Sequence, residues 1–161
     1  MTASVLYVTT DNIRAAIGVD DADISDSEIT DARVDVELQV DLGQWLPTHA
    51  SIFAASQAPS PTPSEILQGQ LLTLYCQFKG AAILAEQGAY RFLQKIADGK
   101  NQQSRFTSVN WEDVAKKAKD KADKYKDLLN EELGVLPTVA AYPVMSISSA
   151  SFDPITGGTG A

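Results

Sequence analysis

The chain has 161 residues, of which 44% are hydrophobic, so it is long enough for one domain with a core of moderate size and is not disordered throughout. Its net charge of -8 disfavours general adhesion to nucleic acid, and its one cysteine and one histidine exclude an internal disulfide and disfavour a zinc site. Residues 1–65 carry eleven acids against two arginines, whereas residues 66–161 carry ten acids against eleven basic residues. This polarity, near -9 followed by near +1, favours ordered and oriented association.

The first elements are short. An aliphatic run at Val5 to Val8 predicts a brief extended segment, and Thr9 or Thr10 then caps a small helix that spans about Asp11 to Ile17 and ends at Gly18. No basic region precedes the aliphatic run, so we expect no signal peptide and a soluble, intracellular chain.

A second helix is predicted to begin at Ser25, which forms a capping box with Glu28. From Arg33 to Leu42 apolar and polar residues alternate, which taken locally is a strand pattern. The capping box and the lack of a turn signal favour a helix, on which two opposed apolar stripes would lie: Val34, Leu38, Leu42 and Trp45 on one, and Ile29, Val36 and Val40 on the other. Such a helix is expected to face the core on one side and a neighbouring subunit on the other.

Residues 46–61 are rich in Pro, Ser and Ala and predict a disordered segment or a contact loop. The central helix follows from Thr62, which forms a capping box with Glu65, and is predicted to end at Gly88. Its longest uncharged part, residues 66–78, is too short to span a bilayer, so no membrane contact is expected.

The central helix carries more apolar surface than one neighbour can cover. We expect Leu67, Leu74 and Phe78 in the core, and a second strip of Leu72, Cys76 and Ile83 toward other subunits. Gly69 and Gly80 within this helix predict close approach of another backbone, because glycine there costs roughly 1 kcal/mol relative to alanine.

The remainder predicts a short helix at residues 89–97, a polar loop at 98–109, and a long helix from Asn110 to about Leu133 with one apolar stripe among lysines. The last part has no helical period and is broken by proline, yet it is apolar, which is typical of an arm that docks on a partner. The predicted fold is therefore all-α, a bundle of three long helices plus short helices over residues 1–134, with an extended C-terminal arm over residues 135–161.

The chain offers little chemistry. Cys76 within an apolar helix is interpreted as a small core residue and His49 as a solvated residue. No paired His, Cys or carboxylates have usable spacing, so we expect neither an enzyme nor a bound cofactor or metal. Residues 91–126 contain ten Lys and Arg against five acids, which indicates a solvated helix face or a mild electrostatic role toward phosphates.

The order of the predicted helices resembles that of a known protein family. The segment LYVTTDNIRAAIGVDDADISDSEI, followed by LLTLYCQFKGAAILAEQG, resembles the head-to-tail adaptor family of tailed bacteriophages, also called connector or head-completion proteins. It covers roughly Leu6 to Leu133 and rests on helix order, and the linker at residues 46–61 is long for the family.

The resemblance implies a non-enzymatic ring in the virion neck, commonly of twelve subunits and assembled in the host cytoplasm. The ring would bind the portal protein on one side and the next neck or tail-completion protein on the other, with double-stranded DNA passing through it. We assign to the subunit interface Val34, Leu38, Leu42, Leu72, Cys76 and Ile83. The portal or neck contact is assigned to Tyr142, Val144, Met145, Ile147, Phe152 and Ile155 of the arm, and non-specific DNA-channel contacts to Lys100, Arg105, Lys116, Lys117 and Lys119. The alternative is a small helical regulatory or nucleic-acid-binding module that uses the basic segment 91–126.

Overall fold

The computed structural model describes residues 4–97 and 110–134, without the side chains of residues 88–97. These residues are mostly helical, which confirms the all-α prediction. The elements are β1 (Ser4–Val5), β2 (Val8–Thr9), α1 (Thr10–Ile17), α2 (Asp26–Asp31), α3 (Val34–Trp45), α4 (His49–Ser56), α5 (Pro63–Ala97) and α6 (Trp111–Glu132). The predicted arm at residues 135–161 and the predicted loop at residues 98–109 lie outside the described residues.

The aliphatic run near the N-terminus forms a small hairpin. β1 and β2 pair antiparallel with Val5 opposite Val8, and both side chains are buried. The Thr9 side chain then accepts a hydrogen bond from the Asn12 backbone N–H and caps α1, as predicted. Gly18 ends α1 at a φ of 77°, a left-handed conformation that favours glycine.

The predicted helix from Ser25 is split in two. Its capping box is present, because the Ser25 backbone N–H donates to Glu28 at 2.8 Å and the Ser25 hydroxyl accepts from the Glu28 N–H. α2 nevertheless ends at Asp31, since Arg33 adopts a left-handed φ of 54° before α3 begins. The break turns Val34 inward, where its side chain is fully buried.

Residues 46–61 were expected to lack regular structure, and this prediction is wrong in the middle of the segment, where α4 forms. α4 has no side-chain cap at Thr48. Tertiary contacts hold it instead: Phe53 stacks on Tyr7 with ring centroids 4.4 Å apart, and α4 packs along α5.

α5 is the central element, and at 35 residues it is about 52 Å long. Its predicted start is confirmed, because the Thr62 backbone N–H donates to the Glu65 carboxylate at 2.6 Å. The predicted end at Gly88 is wrong, since the helix continues to Ala97. Gly88 is followed by residues of good helix propensity, and a single glycine costs only roughly 1 kcal/mol inside a helix.

α6 runs antiparallel to α5. Asn110 caps its start, as predicted, by accepting hydrogen bonds from the backbone N–H groups of the first turn. The Ser64 hydroxyl donates to Glu132 at 2.5 Å, and the rings of Phe78 and Tyr125 stack with centroids 5.6 Å apart. The end of α6 therefore lies beside the start of α5.

The core is built around the middle of α5, on which α1, α3 and α6 pack. Two glycines of α5 permit close approach of another helix, but the nearest atoms belong to side chains and not, as predicted, to another backbone. A Cβ at Gly69 would lie 2.3 Å from the Ser56 Cβ on α4, and one at Gly80 would lie 3.1 Å from the Val34 Cγ1 and 3.2 Å from the Ile13 Cδ1. Both helix contacts therefore favour glycine, because a side chain at either position would crowd the neighbouring helix.

Candidate assembly surfaces

The outward face of α3 is apolar and exposed. Val36 and Val40 are 48% and 56% exposed, and Gly43, one turn farther along, is open, since a Cβ there would meet nothing within 4 Å. The opposite stripe of the same helix, Val34, Leu38 and Leu42, is fully buried. α3 thus has two opposed apolar stripes, one of them covered by the chain itself. The predicted outer stripe is wrong at Ile29, which lies in α2 and is fully buried.

One hydrogen bond and one ion pair to α5 fix which face of α3 turns outward. The Tyr75 hydroxyl on α5 donates to the Asp41 carboxylate on the inner side of α3, and the Lys79 Nζ lies 3.8 Å from the other oxygen of that carboxylate. Burial, and next the hydrogen bond to Asp41, raise the pKa of Tyr75 above its ordinary value, so the hydroxyl remains a donor at neutral pH.

A buried arginine fixes α2, which precedes α3. Arg14 on α1 donates to the Ile24 carbonyl at 3.0 Å, to the Asp26 carboxylate at 2.8 Å and to the Asp11 carboxylate at 2.5 Å. Burial alone would lower the pKa of Arg14, but the hydrogen bonds to both carboxylates outweigh it and the pKa is raised. The guanidinium therefore stays charged and ties α1 to the start of α2.

The six residues assigned from sequence to the subunit interface lie in the core of the chain. On α3 these are Val34, Leu38 and Leu42, and on α5 they are Leu72, Cys76 and Ile83, none more than 5% exposed. Conversely Leu67, which was expected in the core, is 42% exposed. The reason is packing: α5 contacts α1, α3, α4 and α6, so the strip of Leu72, Cys76 and Ile83 is covered within the chain and not exposed as expected.

A groove lies between the end of α4 and the first half of α5. Its volume is about 410 Å³, and none of the residues that line it is charged: Ser56, Gln57, Ile66, Gly69, Gln70, Thr73 and Leu74. Ile66 is 41% exposed within it. The sequence did not predict this groove, because it did not predict α4. The end of α4, which packs on Gly69 through Ser56, forms one wall of the groove.

Two further hollows in the described part of the chain have charged walls. One, of about 360 Å³, lies where Ile17 of α1, Phe78 of α5 and α6 meet, with Lys117, Asp120 and Lys121 around it. The other, of about 380 Å³, lies on α6 and is lined by Leu128 and five charged residues, Asp120, Asp123, Lys124, Asp127 and Glu131.

The lysines assigned to a DNA channel are only partly described. Lys116, Lys117 and Lys119 are exposed on α6, and in the residues described none of the three forms an ion pair within 4.0 Å. Lys100 and Arg105 lie outside the described residues. α6 as a whole carries six lysines and seven acids, so its surface is mixed and not a continuous basic face.

The one thiol and the one histidine do not pair. His49 Nδ1 lies 2.6 Å from the Tyr7 hydroxyl, at the start of α4. Cys76 is fully buried in α5, and burial raises its thiol pKa to about 12, which keeps it protonated and unreactive at neutral pH. Their roles in this arrangement are packing and helix docking.

Neither metal-binding clusters nor membrane-spanning helices occur in residues 4–97 and 110–134. No group of three or more His, Cys, Asp or Glu there could hold a metal ion, and no helix there is long and apolar enough to cross a bilayer. The chain matches no protein-family model, no curated protein and no solved structure.

Proposed function

We propose that this chain is a head-to-tail adaptor of a tailed bacteriophage, a structural subunit that forms a ring below the portal and joins the capsid to the tail. The observation that carries the proposal is the outward face of α3, where Val36 and Val40 are about half exposed while the opposite stripe is in the core. Apolar residues at successive turns of one face that residues 4–97 and 110–134 leave uncovered are suited to a helix-to-subunit contact.

The lateral contact in this proposal joins the α3 face of one subunit to a different surface of the next. Such a heterologous contact closes into a ring only when the rotation between subunits is right, and the portal supplies that rotation as a template. Gly43 supports close packing at this contact, because a helix-interior glycine with free space around it costs stability that no contact within the described chain repays.

The remaining parts receive roles in the same proposal. α3, α5 and α6 make the helical bundle of the ring subunit, and residues 135–161 form an extended arm that meets the portal or the next neck protein. The apolar arm residues that make this contact are Tyr142, Val144, Met145, Ile147, Phe152 and Ile155. Lys116, Lys117 and Lys119 face the passing DNA, where any contact is non-specific and weakens with salt.

Imaging and native mass measurement of the purified protein, alone and with a portal protein from the same source, test the proposal. We expect a monomer or small oligomer alone and a closed ring of the portal's own subunit number when the portal is present. A protein that stays monomeric with the portal contradicts the adaptor. Salt-sensitive binding of free DNA by that monomer would support instead the nucleic-acid-binding module of residues 91–126.

A further inference from the structure

We propose that in the isolated protein about four successive residues of the apolar C-terminal segment, residues 139–155, occupy the groove between α4 and α5 of their own chain. This concerns the subunit before assembly, so it does not depend on the adaptor proposal. Three observations lead to it: where the described chain ends, what lines the groove, and the composition of the segment.

The described chain ends close to the groove. Glu132, at the end of α6, accepts a hydrogen bond from Ser64, which lies two residues before Ile66 of the groove. Gly134 follows in a left-handed conformation at a φ of 67° and is exposed, so the chain leaves α6 at this end of the bundle. The next five residues reach about 17 Å when extended, more than the helix diameter of about 10 Å that separates opposite sides of α5.

The groove matches the segment in polarity. Its walls present amides and hydroxyls beside Ile66 and Leu74, with no charge. Residues 135–161 carry a single charged side chain, Asp153, so their docking leaves no lysine or carboxylate of the groove stripped of water. The two other hollows have charged walls and would impose that cost.

The groove also offers hydrogen-bond partners for the backbone of the segment and is long enough for several of its residues. An extended segment needs partners for its N–H and C=O groups. The Gln57 amide supplies a donor and an acceptor, and the Thr73 hydroxyl, which donates to the Gly69 carbonyl, can still accept. From Ile66 to Leu74 the groove follows α5 for about 12 Å, the length of four extended residues. Because the segment belongs to the same chain, its effective concentration at the groove is about millimolar or higher.

Photo-crosslinking of the full-length protein tests this. A benzophenone maleimide is attached to the variant Gln70→Cys, where the buried Cys76, with its pKa raised to about 12, does not compete for the label at neutral pH. We expect crosslinked peptides from residues 139–155 on a product of monomer mass. The matched control is Gln39→Cys on the exposed surface of α3, which should give no crosslink to that segment.

A second variant places a charge in the groove. Ile66→Lys in the Gln70→Cys protein should lower the crosslink yield to residues 139–155 at least about tenfold, because the apolar segment would have to bury the ammonium. Ile66 is 41% exposed, so the variant should keep the helical circular dichroism of the parent. No crosslink to the segment, an unchanged yield with Ile66→Lys, or a product of dimer mass would each overturn the proposal, and none of them bears on ring formation with the portal.

Discussion

The Tyr75 hydroxyl donates a hydrogen bond to the Asp41 carboxylate, and this contact connects the central helix to α3. Trp45, one turn beyond Asp41, packs edge-on against the Tyr75 ring with centroids 5.1 Å apart. The pair therefore fixes both the rotation of α3 and the direction in which its outer valines point.

Removal of the acceptor should cost more than removal of the donor. Asp41→Ala leaves the buried Tyr75 hydroxyl without its partner and should lower the free energy of unfolding by about 1–3 kcal/mol, whereas Tyr75→Phe should cost about 1 kcal/mol, since Asp41 is partly solvated. The double variant should cost less than the sum of the two. Urea denaturation of the four proteins measures this, and strictly additive losses would show that the two groups do not interact.

Stability should fall in alkaline solution. Burial raises the thiol pKa of Cys76 from 9.0 to about 12 and also raises the pKa of Tyr75. At a pH between the unfolded and the folded pKa of either group, the unfolded chain has released a proton that the folded chain retains. The unfolded state then binds fewer protons, and the free energy of unfolding decreases with rising pH by up to about 1.4 kcal/mol per unit for each group. The contribution is fully present below pH 9.

The variant Cys76→Ala separates the thiol from other alkaline effects. It should be less stable than the parent at pH 8, because it leaves a small cavity, yet lose stability less steeply from pH 9 to 11. Urea midpoints across this range give the two slopes. Parallel curves would mean that the thiol does not hold its proton in the folded state.

Alanine at two glycines should act in opposite directions. Gly69→Ala places a Cβ 2.3 Å from the Ser56 Cβ and should cost about 1–3 kcal/mol through overpacking, with partial rescue by Ser56→Gly. Gly43→Ala meets no atom within 4 Å and should stabilise the monomer by about 0.5–1 kcal/mol through helix propensity. Thermal unfolding ranks the variants, and a loss of stability in Gly43→Ala would contradict the open site.

Charge on the two faces of the helices should separate folding from assembly. Val40→Lys on the exposed face of α3 should leave the free energy of unfolding within about 0.5 kcal/mol of the parent but prevent ring formation with the portal. Leu72→Asp, at a fully buried site, should unfold the monomer, with a loss above about 4 kcal/mol. Rings of normal size from Val40→Lys would exclude the α3 face as the lateral contact.

Local chemistry made some of the fold predictable and left the rest to tertiary packing. The caps at Thr9, Ser25, Thr62 and Asn110 act within a few residues, so the helix starts could be read directly from the sequence. The break at Arg33 could not, because arginine has no preference for a left-handed φ and only the burial of Val34 against α5 explains it.

The candidate surfaces were likewise predictable where they depend on local sequence and not where they depend on tertiary packing. The two stripes of α3 were predictable from helical spacing, but which one faces outward depends on Tyr75, which lies 34 positions from Asp41 in the chain. On α5 the apolar residues surround the helix, so spacing did not distinguish the buried Leu72 from the exposed Leu67. The groove required α4, whose stability comes from Tyr7 and α5 and not from its own sequence.

The two-sided character of α3 has a consequence for how this protein tolerates mutation. Val34 and Leu38 are buried and determine the stability of the fold, whereas Val36 and Val40 are exposed and, in the proposed adaptor, determine assembly. For the proposed adaptor, a variant library scored separately for expression level and for particle yield should therefore divide the positions of α3 into two interleaved sets.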